Sequence, residues 1–130
     1  MVHILAPISA GELIDKITIL RIKLEKLGDA AKLDNVRREL DQLTQVRIQA
    51  KLDIDGLTLL ENQLLEINRE LWQVEDDLRE REHTRDFGAG FVDLARLVYK
   101  LNDRRSALKK QINGMTGSSI VEEKSYASYR

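Results

Sequence analysis

Arg105 interrupts an otherwise apolar row, Phe91, Leu94, Val98, Leu101, Leu108, Ile112 and Met115, and is the side chain best placed to do chemistry. A guanidinium on such a seam must pair with a carboxylate or lay its stem along apolar surface to reach water. The plainer reading is a snorkelling arginine at a helix edge. The sharper one is a pair with Glu75 or Asp76 across the seam, which would fix register or present the guanidinium to an anionic ligand. On that reading Arg105→Leu abolishes anion binding and leaves the fold intact or more stable.

Beside this seam lies a second, more polar stripe of Ala95, Tyr99, Asn102, Ser106, Lys109 and Asn113. The facing stretch carries its own in Leu65, Asn68, Trp72, Glu75 and Arg79. Amides next to the single tryptophan are the nearest approach to a helix-lined pocket for a small polar molecule. A solvated flank, with an amphipathic Trp covering the core, produces the same pattern.

Other chemistries are poorly supplied. His3 and His83 have no second histidine three or four residues away, so neither begins a metal motif. Gly88-Ala-Gly90 lacks the third glycine and the preceding strand of a dinucleotide loop, and reads as a turn. Asp76 and Asp77 are helix neighbours that point apart, which is poor geometry for shared acid–base work. Arg104-Arg105 and Lys109-Lys110 are basic without aromatic interleaving, so nucleic-acid stacking is disfavoured. With no cysteine there is no disulfide, thiolate zinc site or thiol nucleophile. No catalytic, metal or cofactor constellation emerges.

The elements that would position these residues are helices. Val36, Leu43, Ala50, Leu57, Leu64, Leu71 and Leu78 recur every seven residues, with Leu40, Val46, Ile54, Leu60, Ile67 and Val74 interleaved. That is the arithmetic of coiled coils and helical hairpins. The phase holds across Asp53-Ile-Asp-Gly56, so one helix over about 34–85 is favoured over a turn there, with 53–56 as the place for a kink. A first helix over 9–27 opens with the capping box Ser9-Ala-Gly-Glu12, stapled by Ile8 and Leu13, and closes at Gly28 in the left-handed conformation. Asp29 or Asp34 caps the next helix. A last helix over 89–115 ends near Gly114 or Gly117 and packs antiparallel on the second half of the long one. The expected fold is therefore all-α, an elongated antiparallel hairpin or bundle with coiled-coil character. Residues 1–117 form one domain, and 118–130 are a tail that is either disordered or packed back.

Composition agrees. Charged residues are 33% of the chain, aromatics 5%, and there is one proline, which suits long helices better than sheets. Lys plus Arg is 21 against 22 for Asp plus Glu, so no global field draws the chain to nucleic acid or an anionic membrane. No apolar run reaches the ~18 residues of a membrane span, and no signal peptide is visible, so the expected location is cytoplasmic. A helix of ~50 residues spans about 75 Å, more than the other helices cover. The remaining seam calls for a second chain, hence a homodimer that also docks an unidentified protein.

Pro7-Ile-Ser-Ala-Gly-Glu-Leu-Ile-Asp-Lys-Ile-Thr-Ile-Leu20, Ile67-Asn-Arg-Glu-Leu-Trp72 with Glu75-Asp76, Leu94-Ala-Arg-Leu-Val-Tyr99 with Asn102-Asp103-Arg104-Arg105, and Gly117-Ser-Ser-Ile-Val-Glu-Glu-Lys-Ser-Tyr126 carry a resemblance. The chain resembles a family of small bacterial and phage proteins catalogued as domain of unknown function 6165. The likeness spans nearly the whole chain and implies no reaction, only a loose link to surface-polysaccharide biosynthesis. It also implies that Glu12, Asp15, Lys16, Trp72, Asn102, Asp103, Arg105 and Glu122-Glu-Lys124 belong together. Capping accounts for Glu12 and packing for Trp72, whereas Asp15, Lys16 and Asn102 are polar beyond what the fold asks. The candidate binding set is Asp15, Lys16, Asn68, Trp72, Glu75, Asn102, Asp103, Arg105 and Lys109.

Overall fold

Four helices follow one another as α1 (Ala10–Lys26), α2 (Ala30–Gln49), α3 (Leu57–His83) and α4 (Ala89–Thr116). They are seen in a computed structural model that describes residues 2–129, among which there is no strand. Ser9 caps α1 by accepting from the Glu12 amide at 3.1 Å. The return half of the capping box does not form, because the Glu12 carboxylate turns to Lys109 and Lys16 instead. Nor does Gly28 adopt the left-handed turn expected of it; α1 ends at an extended Leu27. Asp29 then caps α2 through the Ala31 amide, so that helix starts five residues earlier than Asp34 would set it.

The apolar phase from Val36 to Leu78 predicts one continuous helix, and here the structure differs. The helix stops at Gln49 and restarts at Leu57. Lys51 and Gly56 take positive φ, 55° and 91°, which no helix accommodates. Leu52 tucks against the core between them, and Asp53 is gripped by the Arg47 guanidinium at 2.7 and 2.9 Å. Asp-Gly was thus the correct turn signal. The phase survives because α2 and α3 both address α1: Leu40 and Leu43 lean on the core that Leu57, Leu60 and Leu64 help to form. The rungs between them, Val46, Ala50 and Ile54, are exposed.

α1 is the central element, packing on each of the other three, while α3 packs on α4. Eight of its 17 residues are buried, against one of 20 in α2, so burial covers more than half of its circumference. α3 and α4 run antiparallel, with Gly56 beside Met115 at one end and Gly90 beside Arg81 at the other. α1 runs opposite to α4. At their crossing Gly11 lies so close that a Cβ there would sit 2.5 Å from the Lys109 carbonyl oxygen. The Gly11 amide donates to Asn113 Oδ1 at 2.6 Å, which closes the N-terminus of α1 onto the end of α4.

Beyond the reach of α1, the α3–α4 hairpin continues as two helices alone. No residue from 75 to 100 is buried, although Val74 and Leu101, which bracket that stretch, are. Residues 118–129 fold back: Ser118 Oγ accepts from the Ala10 amide, Glu122 accepts from Ser9 Oγ, and the Tyr129 ring packs at a tilt on Tyr99.

Candidate functional site

Asp15 sits on the face of α1 turned toward both α3 and α4, and its side chain is 1% exposed. Its Oδ1 accepts from Arg105 Nε and from Asn68 Nδ2, each at 2.9 Å, and its Oδ2 accepts from Arg105 Nη2 at 2.5 Å. Asn68 Nδ2 also donates to Thr18 Oγ1 at 2.9 Å, and that hydroxyl donates to the Asp15 carbonyl at 2.7 Å. A buried carboxylate is tolerated when its lone pairs are filled this way. The hydrogen bonds from Arg105 to Asp15 outweigh burial and hold the guanidinium pKa above its ordinary value.

The carboxylate across the seam is therefore Asp15 rather than Glu75 or Asp76. The Arg105 row was expected to face α3 alone, but it faces α1 as well, and α1 brings the nearer acid. Glu75 instead makes a long 3.8 Å contact with Arg79 on its own helix.

Above this pair opens a cleft of about 360 Å³ between α1, α3 and α4. Asn68, Trp72, Glu75, Asn102 and Arg105 all line it, so five of the nine residues singled out in the sequence converge there. Asp15 lies beneath them as the anchor. Asp15 holds Nε and Nη2 of Arg105, and Asn68 is engaged through Nδ2, so among the described residues Arg105 Nη1 and Asn68 Oδ1 carry no hydrogen bond. Ile19, Ile22 and Leu71 supply an apolar wall. Asp15 already balances Arg105, and at the rim Glu75 and Arg79 face each other across their 3.8 Å contact beside Asp76. The arrangement is suited to holding a small polar molecule by hydrogen bonds and ring contact; it contains no nucleophile with an adjacent base.

The remaining candidates lie elsewhere. Lys109 bonds Glu12 at 2.5 Å and approaches Glu122 at 3.7 Å, while Lys16 pairs with Glu12 at 3.5 Å. This second cluster joins α1, α4 and the tail. Burial raises the Glu12 pKa, but the Lys109 hydrogen bond and charge outweigh it and leave the carboxyl below its ordinary 4.5. Asp103 accepts from the Tyr129 hydroxyl at 2.8 Å on the outer side of α4.

A third polar cluster was not anticipated. Glu61 is buried and binds Arg47 at 2.7 and 3.1 Å and Arg21 at 3.3 Å, tying α1, α2 and α3 together. Its signal is visible in retrospect, since Glu61 follows the seam residue Leu60 and so borders the core. The roles of Ile19 and Ile22 in the cleft, and of Asn113 as a cap, had no local signal because each depends on how α1 crosses its neighbours. Among the described residues no group of histidines and carboxylates could hold a metal ion, and no helix is long and apolar enough to cross a membrane.

No curated protein and no solved structure matches the chain. The model of a family described as "Family of unknown function (DUF6165)" matches residues 4–129. That span takes in the cleft, the Asp15–Arg105 pair and the returning tail, and this chain belongs to that family.

Proposed function

We propose that the chain is a cytoplasmic interaction module which self-associates through the outer half of its α3–α4 hairpin and docks a further protein. The supporting observation is the stretch 75–100, in which no residue is buried although Leu78, Phe91, Leu94, Leu97 and Val98 are all half-buried. Two helices can cover only one flank of each other, and a hairpin of this kind becomes a full core when a second pair packs on it. Sedimentation equilibrium should return twice the mass of the 14.9 kDa chain. A monomer at every concentration, with a scattering profile matching one chain, overturns the reading. A tie to surface-polysaccharide biosynthesis rests on the family resemblance, and a deletion strain with an unchanged polysaccharide profile would remove it.

A second reading is favoured by the cleft. Convergence of Asn68, Trp72, Glu75, Asn102 and Arg105 on one cavity is what a ligand-binding module for a sugar- or nucleotide-type molecule requires. Thermal-shift screening with nucleotide sugars and phosphorylated sugars tests it. A ligand should raise the melting temperature of the native chain and not that of Trp72→Ala, and the absence of any hit counts against it.

A further inference from the structure

The face of the α3–α4 hairpin turned away from α1 carries an unbalanced pattern. At its base is an apolar groove of about 560 Å³, with Leu59, Ile67, Ala107 and Leu108 in its lining; Leu59 is 63% exposed. Above the groove the helices diverge in sign. On α3, Glu70 and Glu80 belong to a row that continues Leu59 and Glu66 at helical spacing. On α4, Lys100 and Arg104 belong to the row that runs on to Ala107 and Gln111, while Asp93, seven residues before Lys100 on that row, is an acid and lines a cavity with Glu80 at the far end of the hairpin. None of Glu70, Glu80, Lys100 and Arg104 makes an ion pair among the described residues.

We infer that this face is a two-fold interface with a second copy of the chain, in which acidic α3 of one copy lies against basic α4 of the other. The inference rests on the self-association proposed above, names its partner as a second copy, and extends its surface from the outer half of the hairpin down to this groove. A two-fold axis makes every contact reciprocal, so a patch must be complementary to itself. A face that is net acidic on α3 and, Asp93 apart, basic on α4 meets that condition around Glu70, Lys100 and Arg104 when α3 lies against α4. Setting α3 against α3 would oppose like charges, which disfavours that register. The groove around Leu59 gives the base of the same face an apolar patch, and the balanced charge of the whole chain imposes no net repulsion between copies.

Two charge-reversal variants, Glu70→Lys/Glu80→Lys and Lys100→Glu/Arg104→Glu, provide the test. Each should fold, by circular dichroism, yet dissociate at least about tenfold more readily in sedimentation equilibrium. Mixed in equal amounts, they should recover a heterodimer by native mass spectrometry. The dimer of the unmodified chain should also weaken between about 0.05 and 0.5 M salt. If the unmodified chain dimerises but neither variant nor salt changes its affinity, this interface is wrong while self-association stands. If the unmodified chain is a monomer, both fall.

Discussion

Asp15 and Arg105 are 90 residues apart in sequence and share two hydrogen bonds, the acid wholly inside and the base reaching the cleft edge. That relationship reverses the outcome first expected of Arg105→Leu. Removing the guanidinium strands a buried carboxylate, and breaking such a pair from one side costs about 3–5 kcal/mol. Urea denaturation should show a loss of that order. The double replacement Asp15→Leu/Arg105→Leu should recover most of it, because the orphaned charge is gone. Equal losses in the single and double variants would mean that the pair does not carry the stability of this crossing.

Gly11→Ala should destabilise the fold although alanine is the better helix former. The added methyl meets the Lys109 carbonyl and Asn113 Oδ1, the latter at 2.9 Å. Moving α1 outward to make room weakens the Gly11–Asn113 hydrogen bond, for a total of about 1–3 kcal/mol. A lower thermal midpoint checks this. An unchanged midpoint would show that α1 and α4 can separate freely.

Gly56→Ala tests the turn between α2 and α3. A left-handed φ disfavours any Cβ by about 1 kcal/mol, and the nearest neighbour, Met115 Cε at 3.0 Å, can swing away. A loss near that figure in chemical denaturation is expected. A gain in stability would imply that the break at 50–56 gives way to continuous helix.

Glu12 sets a pH dependence with a definite sign. Its folded pKa lies below the ordinary 4.5, so the ionised form is favoured by folding. That contribution is complete above the unfolded value and is lost as pH falls from about 4.5 through the folded value. Glu12→Gln should lower stability at neutral pH and flatten the decline in the acid range. Parallel acid limbs in the two proteins would place the dependence on other carboxylates.

Helix type and pairing were legible because they are local: capping at Ser9, the seven-residue spacing, and the reversal before Gly90 each announce themselves within a few residues. The break at 50–56 was not, since continuous phase is produced equally by one straight helix and by two that face a common partner. The cleft was readable as the polar stripe of α3, but of the α4 stripe only Asn102 reaches it, because Ser106, Lys109 and Asn113 turn to the tail instead. Its foundation was hidden, because nothing near Asp15 indicates that the chain will bring Arg105 back to it. The Glu61 cluster was obscured for the same reason, its arginines arriving from two other helices.

The central position of the first helix has a consequence for synthesis. α1 emerges from the ribosome before its neighbours, yet its contacts at Gly11 and Asp15 wait for Asn113 and Arg105, 102 and 90 residues downstream. At roughly 5–20 residues per second, the nascent segment passes several seconds with its oily surfaces uncovered. Only the synthesis of α4 can close the interior, so a chain stalled before it would be left an open, adhesive fragment.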